Sequence, residues 1–252
     1  MIDHRSLAPG VFRLRLAAPQ IAARAQPGQF VHLRPPGPGP YPLRRPLGFY
    51  AADPDSGLVE LVYQVVGRGT AALSQVAQGR ISLLGPLGRG WRPPDALGRA
   101  LLVGGGLGVV PLVPLAAQLV RDGRFEVEVV LGARSVAGLI GRDDLTALLG
   151  AERVHLVTDD GALGPAQPVT VPAARLLAAG GWDYVATCGP EAMQRLVAQA
   201  AEAAGAACEV SLERPMGCGL GVCLSCVVQT DRGRQRACVE GPVWPSRQVV
   251  WQ

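Results

Sequence analysis

Short alternating and β-branched runs fill the first hundred positions of the chain. VFRLRL (11–16), QFVHLR (29–34), LVELVYQVV (58–66) and RISLLG (80–85) each place apolar side chains at every second residue or nearly so. Gly/Pro clusters separate them, and this spacing predicts the strands of a barrel or sandwich up to about residue 96. Six prolines between Pro35 and Pro46 predict a stiff surface loop ending at Arg44-Arg45-Pro46.

From Arg99 to about Ala207 the period changes. ALLVGGG (100–106), FEVEVVLGAR (125–134), RVHLVTDDG (153–161) and WDYVATCG (182–189) are buried-strand patterns. Between and after them, PLVPLAAQLVRDG (111–123) and PEAMQRLVAQAAEAAGA (190–206) have helical spacing, each with proline in its first turn. Strand–helix alternation predicts an open parallel sheet covered on both faces. The last 45 residues are too few for a core of their own, and they hold most of the cysteines. No internal repeat is present.

Composition narrows the class. With 48% hydrophobic and 17% charged residues, the chain has the balance of a globular protein, and its 252 positions are enough for one large or two ordinary domains. A net charge of +4 with scattered arginines and few aromatics gives no nucleic-acid footprint. Ala100–Val120 carries no charge, but four glycines and two prolines interrupt it, so strand, turn and helix explain it better than a membrane span. Asp3, His4 and Arg5 open the chain with no apolar segment behind them, which predicts a cytoplasmic, reducing setting. There the six cysteines point to metal or redox chemistry rather than disulfides.

The thiols show which chemistry. Cys218, Cys223 and Cys226 are spaced C-x4-C-x2-C, and Cys238 follows after eleven residues. Four thiolates at such spacing suit a [2Fe–2S] cluster; structural zinc uses the same donors. Gly217, Gly219 and Gly221 among them allow tight backbone wrapping around sulfur. Elsewhere, Gly106, Gly108 and Pro111 form G-x-G-x-x-P after the first α/β strand, either a tight turn or a pyrophosphate approach. Cys188-Gly189-Pro190-Glu191 ends a strand and opens a helix; locally Cys188 reads as a buried small residue before a helix cap, or as a residue facing a ligand at the carboxyl edge of such a sheet. Arg45-Pro46-Leu47-Gly48 and Gly67-Arg68-Gly69-Thr70 read as turns or as phosphate contacts from arginine and a helix start. Cys208 reads as a plain buried thiol.

In this order the parts resemble the ferredoxin–NADP reductase superfamily. PGQFVHL (27–33), GPLGRGW (85–91), VTDDG (157–161), CGPEAM (188–193) and CVEGPVW (238–244) narrow the resemblance to the electron-transfer subunits of class 1B dihydroorotate dehydrogenase, the PyrK type. It implies a multidomain β + α/β fold: an antiparallel flavin-binding β-barrel at 1–97, a parallel-sheet NAD-binding domain at 98–207 and a small C-terminal [2Fe–2S] domain at 208–252. It also implies FAD flanked by Arg45, Pro46, Leu47 and Gly48, lined by Val62, Tyr63 and Gln64, with Gly69 and Thr70 on phosphate. NAD would meet Gly106, Gly108, Cys188 and Gly189, and Cys218, Cys223, Cys226 and Cys238 would hold the cluster. Family members carry serine where this chain has Gly48, so a hydroxyl near the reactive flavin edge is missing.

The activity so implied joins a separate FMN-containing catalytic subunit, two copies of each, to NAD+ through [2Fe–2S] and FAD. Hydride transfer of that kind needs no acid–base catalyst, so His4, His32 and His155 are expected to be structural. Two rivals have the same parts: the small reductase subunit of a ferredoxin–NADP transhydrogenase or of a sulfide dehydrogenase. Arg134-Ser135 would suit a 2′-phosphate or a bare ribose. A zinc-stapled binding module is the third rival.

Overall fold

The computed structural model describes residues 1–35, 37 and 42–251. Of the proline-rich loop expected at 35–46, residues 36 and 38–41 lie outside the described residues. Six strands make the first antiparallel sheet among the described residues: β1 (Asp3–Ala8), β2 (Val11–Ala17), β3 (Phe30–Arg34), β4 (Arg45–Asp53), β5 (Leu58–Gln64) and β6 (Ser82–Leu87), ordered β1-β2-β5-β4-β3-β6. Alternation sends Leu14, Leu16, Val31, Leu33, Val59 and Leu61 to one interior, where Phe49 and Leu73 join them. The sheet thus curls into a barrel around that core. Contacts draw its edge strand β1 toward the segment before β6: the Met1 ammonium donates to the Gly79 carbonyl at 3.0 Å, and His4 Nδ1 meets the Val76 carbonyl at 2.7 Å. A four-residue helix α1 (Pro19–Ala22) and α2 (Arg68–Ser74) lie on this unit.

The second sheet has the order β14-β11-β10-β7-β8-β9, from β7 (Gly98–Gly105), β8 (Phe125–Ala133), β9 (Val154–Thr158), β10 (Tyr184–Cys188), β11 (Ala207–Ser211) and β14 (Val243–Pro245). Its first five strands in sequence are parallel, and α3 (Leu112–Asp122), α4 (Arg142–Leu149), α5 (Thr170–Ala178) and α6 (Glu191–Ala203) connect or follow them. Both faces are buried, as a parallel sheet requires. Ala100, Leu102, Val129 and Ala186 face a core shared with barrel residues Tyr50, Val62 and Trp91. Leu101, Val103, Val130 and Val185 face the other. Gly123, in the left-handed region at φ 66°, closes α3, and its N–H reaches the Leu119 carbonyl. The uncharged stretch from Ala100 to Val120 is therefore β7, a 3-10 turn and α3. No helix among the described residues is long and apolar enough to cross a membrane.

The cysteine-bearing segment folds onto both neighbours. β12 (Val227–Thr230) and β13 (Gly233–Arg236) form a hairpin, and β14 then adds antiparallel to β11. β11 itself pairs with β10, so the α/β sheet runs past the expected boundary at residue 207 to Ser211. Cys226, Val228, Ala237, Cys238 and Trp244 are buried in the same core as Leu101 and Phe30. Borrowed apolar surface replaces the core this short segment lacks. The Arg89 N–H bond to the Gly241 carbonyl (2.6 Å) fastens GPLGRGW to CVEGPVW, and the Leu212 N–H bond to the Pro242 carbonyl (2.9 Å) ties the end of β11 to the same segment.

Candidate functional site

A groove of about 640 Å³ opens where the three parts meet. Its lining includes Arg45, Pro46, Leu47, Gly48, Val62, Tyr63, Gln64, Gly69 and Thr70 from the barrel side, and Cys188 from the sheet. Three separated segments of the sequence-derived flavin set thus face one space, together with Cys188 of the nicotinamide set. Arg45 lies across the start of α2: a Cβ on Gly69 would stand 2.3 Å from its guanidinium. A guanidinium beside the free N–H groups of a helix's first turn is a cationic cradle suited to phosphate oxygens. Arg45 also donates to the Leu43 carbonyl, which fixes its stem.

Thr70 does something other than the sequence suggests. Its Oγ accepts the N–H groups of Val66 (3.0 Å) and Gly67 (3.2 Å) and donates to the Gly67 carbonyl (3.0 Å). The hydroxyl shapes its own turn, and what the turn offers a ligand is backbone N–H. Tyr63 is buried, stacks on Phe12 at 5.8 Å between centroids and bonds His4 at 2.9 Å through its hydroxyl. Burial raises that phenol above its ordinary value. The ring is a wall of the groove, not an acid.

The glycine turn is also redistributed. Gly106, at φ 56°, has nothing within 4 Å of a Cβ, so it serves the turn itself. A Cβ on Gly108 would lie 2.1 Å from the Cys188 carbonyl oxygen, so its bareness lets this turn press on the β10–α6 turn. Gly106, Gly108 and Gly189 border the sheet's carboxyl edge without lining the groove; Leu107, Val110 and Pro111 line it instead. α3 begins at Leu112 after a 3-10 turn over Gly106–Val109, one step later than the motif alone implies. Cys188 is buried, and burial pushes its thiol well above the ordinary range, so it stays neutral.

Sequence reading missed a further wall: Ser211, Leu212, Glu213, Arg214, Pro215 and Met216. Only their place between the sheet and the first cluster cysteine signals them. Two residues on, the loop wraps Cys218. Its sulfur accepts backbone N–H groups from Leu220 (3.3 Å), Val222 (3.4 Å) and Cys223 (3.5 Å). These bonds, Cys223 N–H foremost, lower the Cys218 thiol. The Ser225 hydroxyl, 3.2 Å from Cys223 Sγ, brings Cys223 down to about 6. Gly219 (φ 71°), Gly221 (φ 79°) and Leu224 (φ 58°) give the loop its left-handed turns. Cys226 and Cys238 sit deeper; burial, with Cys226 alongside, pushes Cys238 up to about 11.

Cys223 neighbours Cys218, and Cys226 neighbours Cys238, which also feels the charge of Cys218. Among the described residues no three His, Cys, Asp or Glu side chains gather around one metal-ion position. Two pairs with N–H groups aimed at sulfur fit a two-iron cluster better than the single tetrahedral point of zinc. Arg236 braces the loop by donating to the Gly221 carbonyl (2.9 Å) and pairing with Glu240, whose carboxyl it holds down at about 2.

Known proteins were compared with this chain. Residues 213–250 match the model of the iron–sulfur cluster binding domain of dihydroorotate dehydrogenase B. The dihydroorotate dehydrogenase B (NAD(+)) electron transfer subunit of Desulforamulus reducens is 39% identical, covering 98% of this chain and 95% of its own. That of Geobacillus kaustophilus is 37% identical over 98% and 96%. Among solved structures, one chain of the NADH-dependent reduced ferredoxin–NADP oxidoreductase superposes with a TM-score of 0.88 at 31% identity, covering all of this chain and 89% of that one. A Neisseria gonorrhoeae ferredoxin NADP+ reductase with bound FAD and NADP reaches 0.62 at 18% identity, over 80% of this chain and 88% of its own, a likeness of fold.

Proposed function

The chain belongs to the family of dihydroorotate dehydrogenase B electron transfer subunits, and from that premise we propose how its residues serve the role. It is an oxidoreductase subunit that carries FAD and a [2Fe–2S] cluster, uses NAD+ and works with a dihydroorotate-oxidising catalytic partner. When bound, the cluster supplies single-electron transfer and the flavin couples it to hydride exchange with NAD+. The observation that carries the reading is continuity: the groove wall from Ser211 to Met216 ends two residues before Cys218. Flavin groove and cysteine loop are one connected surface.

In this reading Arg45 and the backbone at Gly69-Thr70 hold the flavin's phosphates. Pro46, Leu47, Gly48, Val62, Tyr63 and Gln64 line the flavin. Cys188 and Gly189 border the nicotinamide approach, with Gly106 and Gly108 setting the turn beside it. Cys218 with Cys223 and Cys226 with Cys238 hold the cluster two by two. In the same reading a flavin unit spans 1–97, a nucleotide unit runs from 98 through β11, and a cluster unit follows to the C-terminus, its strand β14 joined to the nucleotide unit's sheet. Cysteines committed to a cluster rather than to disulfides support a reducing, cytoplasmic location. The partner is an FMN-bearing catalytic subunit, two copies of each chain forming the assembly.

One observation favours a second reading: the likeness to a chain of the ferredoxin–NADP oxidoreductase at a TM-score of 0.88. Such a reductase subunit would pair with a large iron–sulfur flavoprotein instead. The two are separated by mixing the chain with an FMN-type catalytic subunit and following NAD+ reduction by dihydroorotate. That reduction is expected, and Cys223→Ser should abolish it while sparing the partner's own activity with a dye acceptor. NAD+ reduction undiminished in Cys223→Ser would remove the cysteine loop from the electron route. No reduction by the unaltered pair would favour the second reading.

A further inference from the structure

Strand β3 divides its side chains between two interiors. Val31 and Leu33 enter the barrel core, whereas Phe30 packs on the core shared with Cys226 and Cys238. His32 is on the same side as Phe30 and is fully buried. Against it lies Gly219: a Cβ there would stand 2.6 Å from His32 Nδ1. Gly219 directly follows Cys218 and has φ 71°, so both sterics and backbone reserve that place for glycine. The histidine thus reaches the loop at its first cysteine.

Two backbone carbonyls face its ring, that of Cys218 foremost and that of Arg44 on its own barrel side. Neither ring nitrogen has a hydrogen-bond partner at bonding geometry among the described residues. Burial holds the ring below its ordinary basicity, and the charges of Arg44 and Arg45 act in the same sense, while the Cys218 carbonyl and, more weakly, the Arg44 carbonyl oppose them. A neutral imidazole keeps one N–H donor. Left unpaired in a buried place, such a group is unfavourable, a penalty an apolar side chain of that size would avoid. On the other flank, His32 is paired in the ladder with Pro46, which lines the groove.

We propose that His32 is a positioning residue: its ring N–H donates to the Cys218 carbonyl and fastens the first cluster ligand to the strand beside the flavin groove. The bond ties the cysteine loop to the barrel, so the separation of the two redox sites is set by β3. The inference rests on Cys218 being a cluster ligand, as proposed above.

The test uses the full-length chain with FAD and cluster in place. Iron and sulfide content of the unaltered protein checks the cluster assignment separately; if both are missing, that assignment and this inference fall together. His32→Leu, compared with His32→Gln, which keeps a donor, is read by cluster loss to a chelator, by the cluster's midpoint potential and by its electron paramagnetic resonance. His32→Leu should speed cluster loss about ten- to a hundredfold and shift both other signals, at unchanged flavin content. His32→Gln should recover most of the difference. Equal behaviour of the two variants, or wild-type behaviour of His32→Leu, overturns the proposal. Should His32→Leu fail to fold, ring-15N-histidine labelling of unaltered protein decides: one exchange-protected histidine N–H, shifted when the cluster is reduced, is expected. Its absence overturns the proposal as well.

Discussion

Gly108 and Gly48 look alike in the sequence and behave oppositely in space. An added methyl at Gly108 would lie 2.1 Å from the Cys188 carbonyl oxygen and 2.6 Å from Gly189 N, both backbone atoms that cannot swing away. Gly108→Ala should therefore destabilise by about 1–3 kcal/mol, seen in thermal melts as a fall of roughly 2–4 °C per kcal/mol; an unchanged Tm would refute the close approach. Gly48 has only Val110 Cγ1 near its missing Cβ, at 3.7 Å, and no left-handed backbone. Gly48→Ser should fit without loss of Tm and supply the hydroxyl that the family resemblance leads one to expect at this position. A shifted flavin midpoint potential would report that hydroxyl; an unshifted one would place position 48 away from the reactive edge. The motifs themselves were legible because their glycines and prolines are rare local signals. Which neighbour each glycine accommodates was not, since Cys188 lies eighty residues from Gly108.

Across three parallel strands, one polar network stands on the sheet. Arg99 on β7 donates to Glu128 Oε1 at 2.9 Å, and His155 on β9 lies 2.8 Å from Oε2. The Arg99 guanidinium also covers the Trp182 ring at 4.1 Å. Burial alone would raise the Glu128 carboxyl, but bonds from His155 and Arg99 outweigh it and leave it below its ordinary 4.5. A depressed folded-state value means that the stabilisation is present above pH 4.5 and lost as pH falls below it. The Tm gap between the native chain and Glu128→Gln should thus be widest above that pH and close on acidification. A gap that stays constant to pH 3.5 would contradict the network. At this scale β2, β3, β5 and the α/β strands were readable from period alone. β1 was hidden by its polar DHRSLA, and β4 by Pro46 and Gly48 at its start. β11, five residues long, follows a helix without a turn signal beyond Gly205. Neighbouring strands override such weak local preference.

Around Cys223, the whole molecule leaves an apolar collar open: Leu220, Leu224 and, at 79% exposure, Val222. Such a patch beside a redox loop suits the face of a partner subunit. Val222→Asp should weaken association with the FMN-bearing subunit by about tenfold, ~1.4 kcal/mol, in a binding titration. Cluster content and NADH oxidation by the isolated chain should not change; undiminished affinity would remove the collar from the interface. What the chain's sequence determined unaided was local: the C-x4-C-x2-C spacing with its later fourth cysteine, the change from strand period to strand–helix alternation and the glycine and proline turns. Each depends on residues a few positions apart. Tertiary structure decided the rest. It joined Arg45, Gly69, Cys188 and the Ser211–Met216 wall into one groove, occupied the Thr70 hydroxyl in its own turn, and laid β14 on β11. It also set His32 against Gly219. Those outcomes depend on which distant surfaces exclude water together, and hydrophobic burial is non-directional; only the packed chain selects the partners.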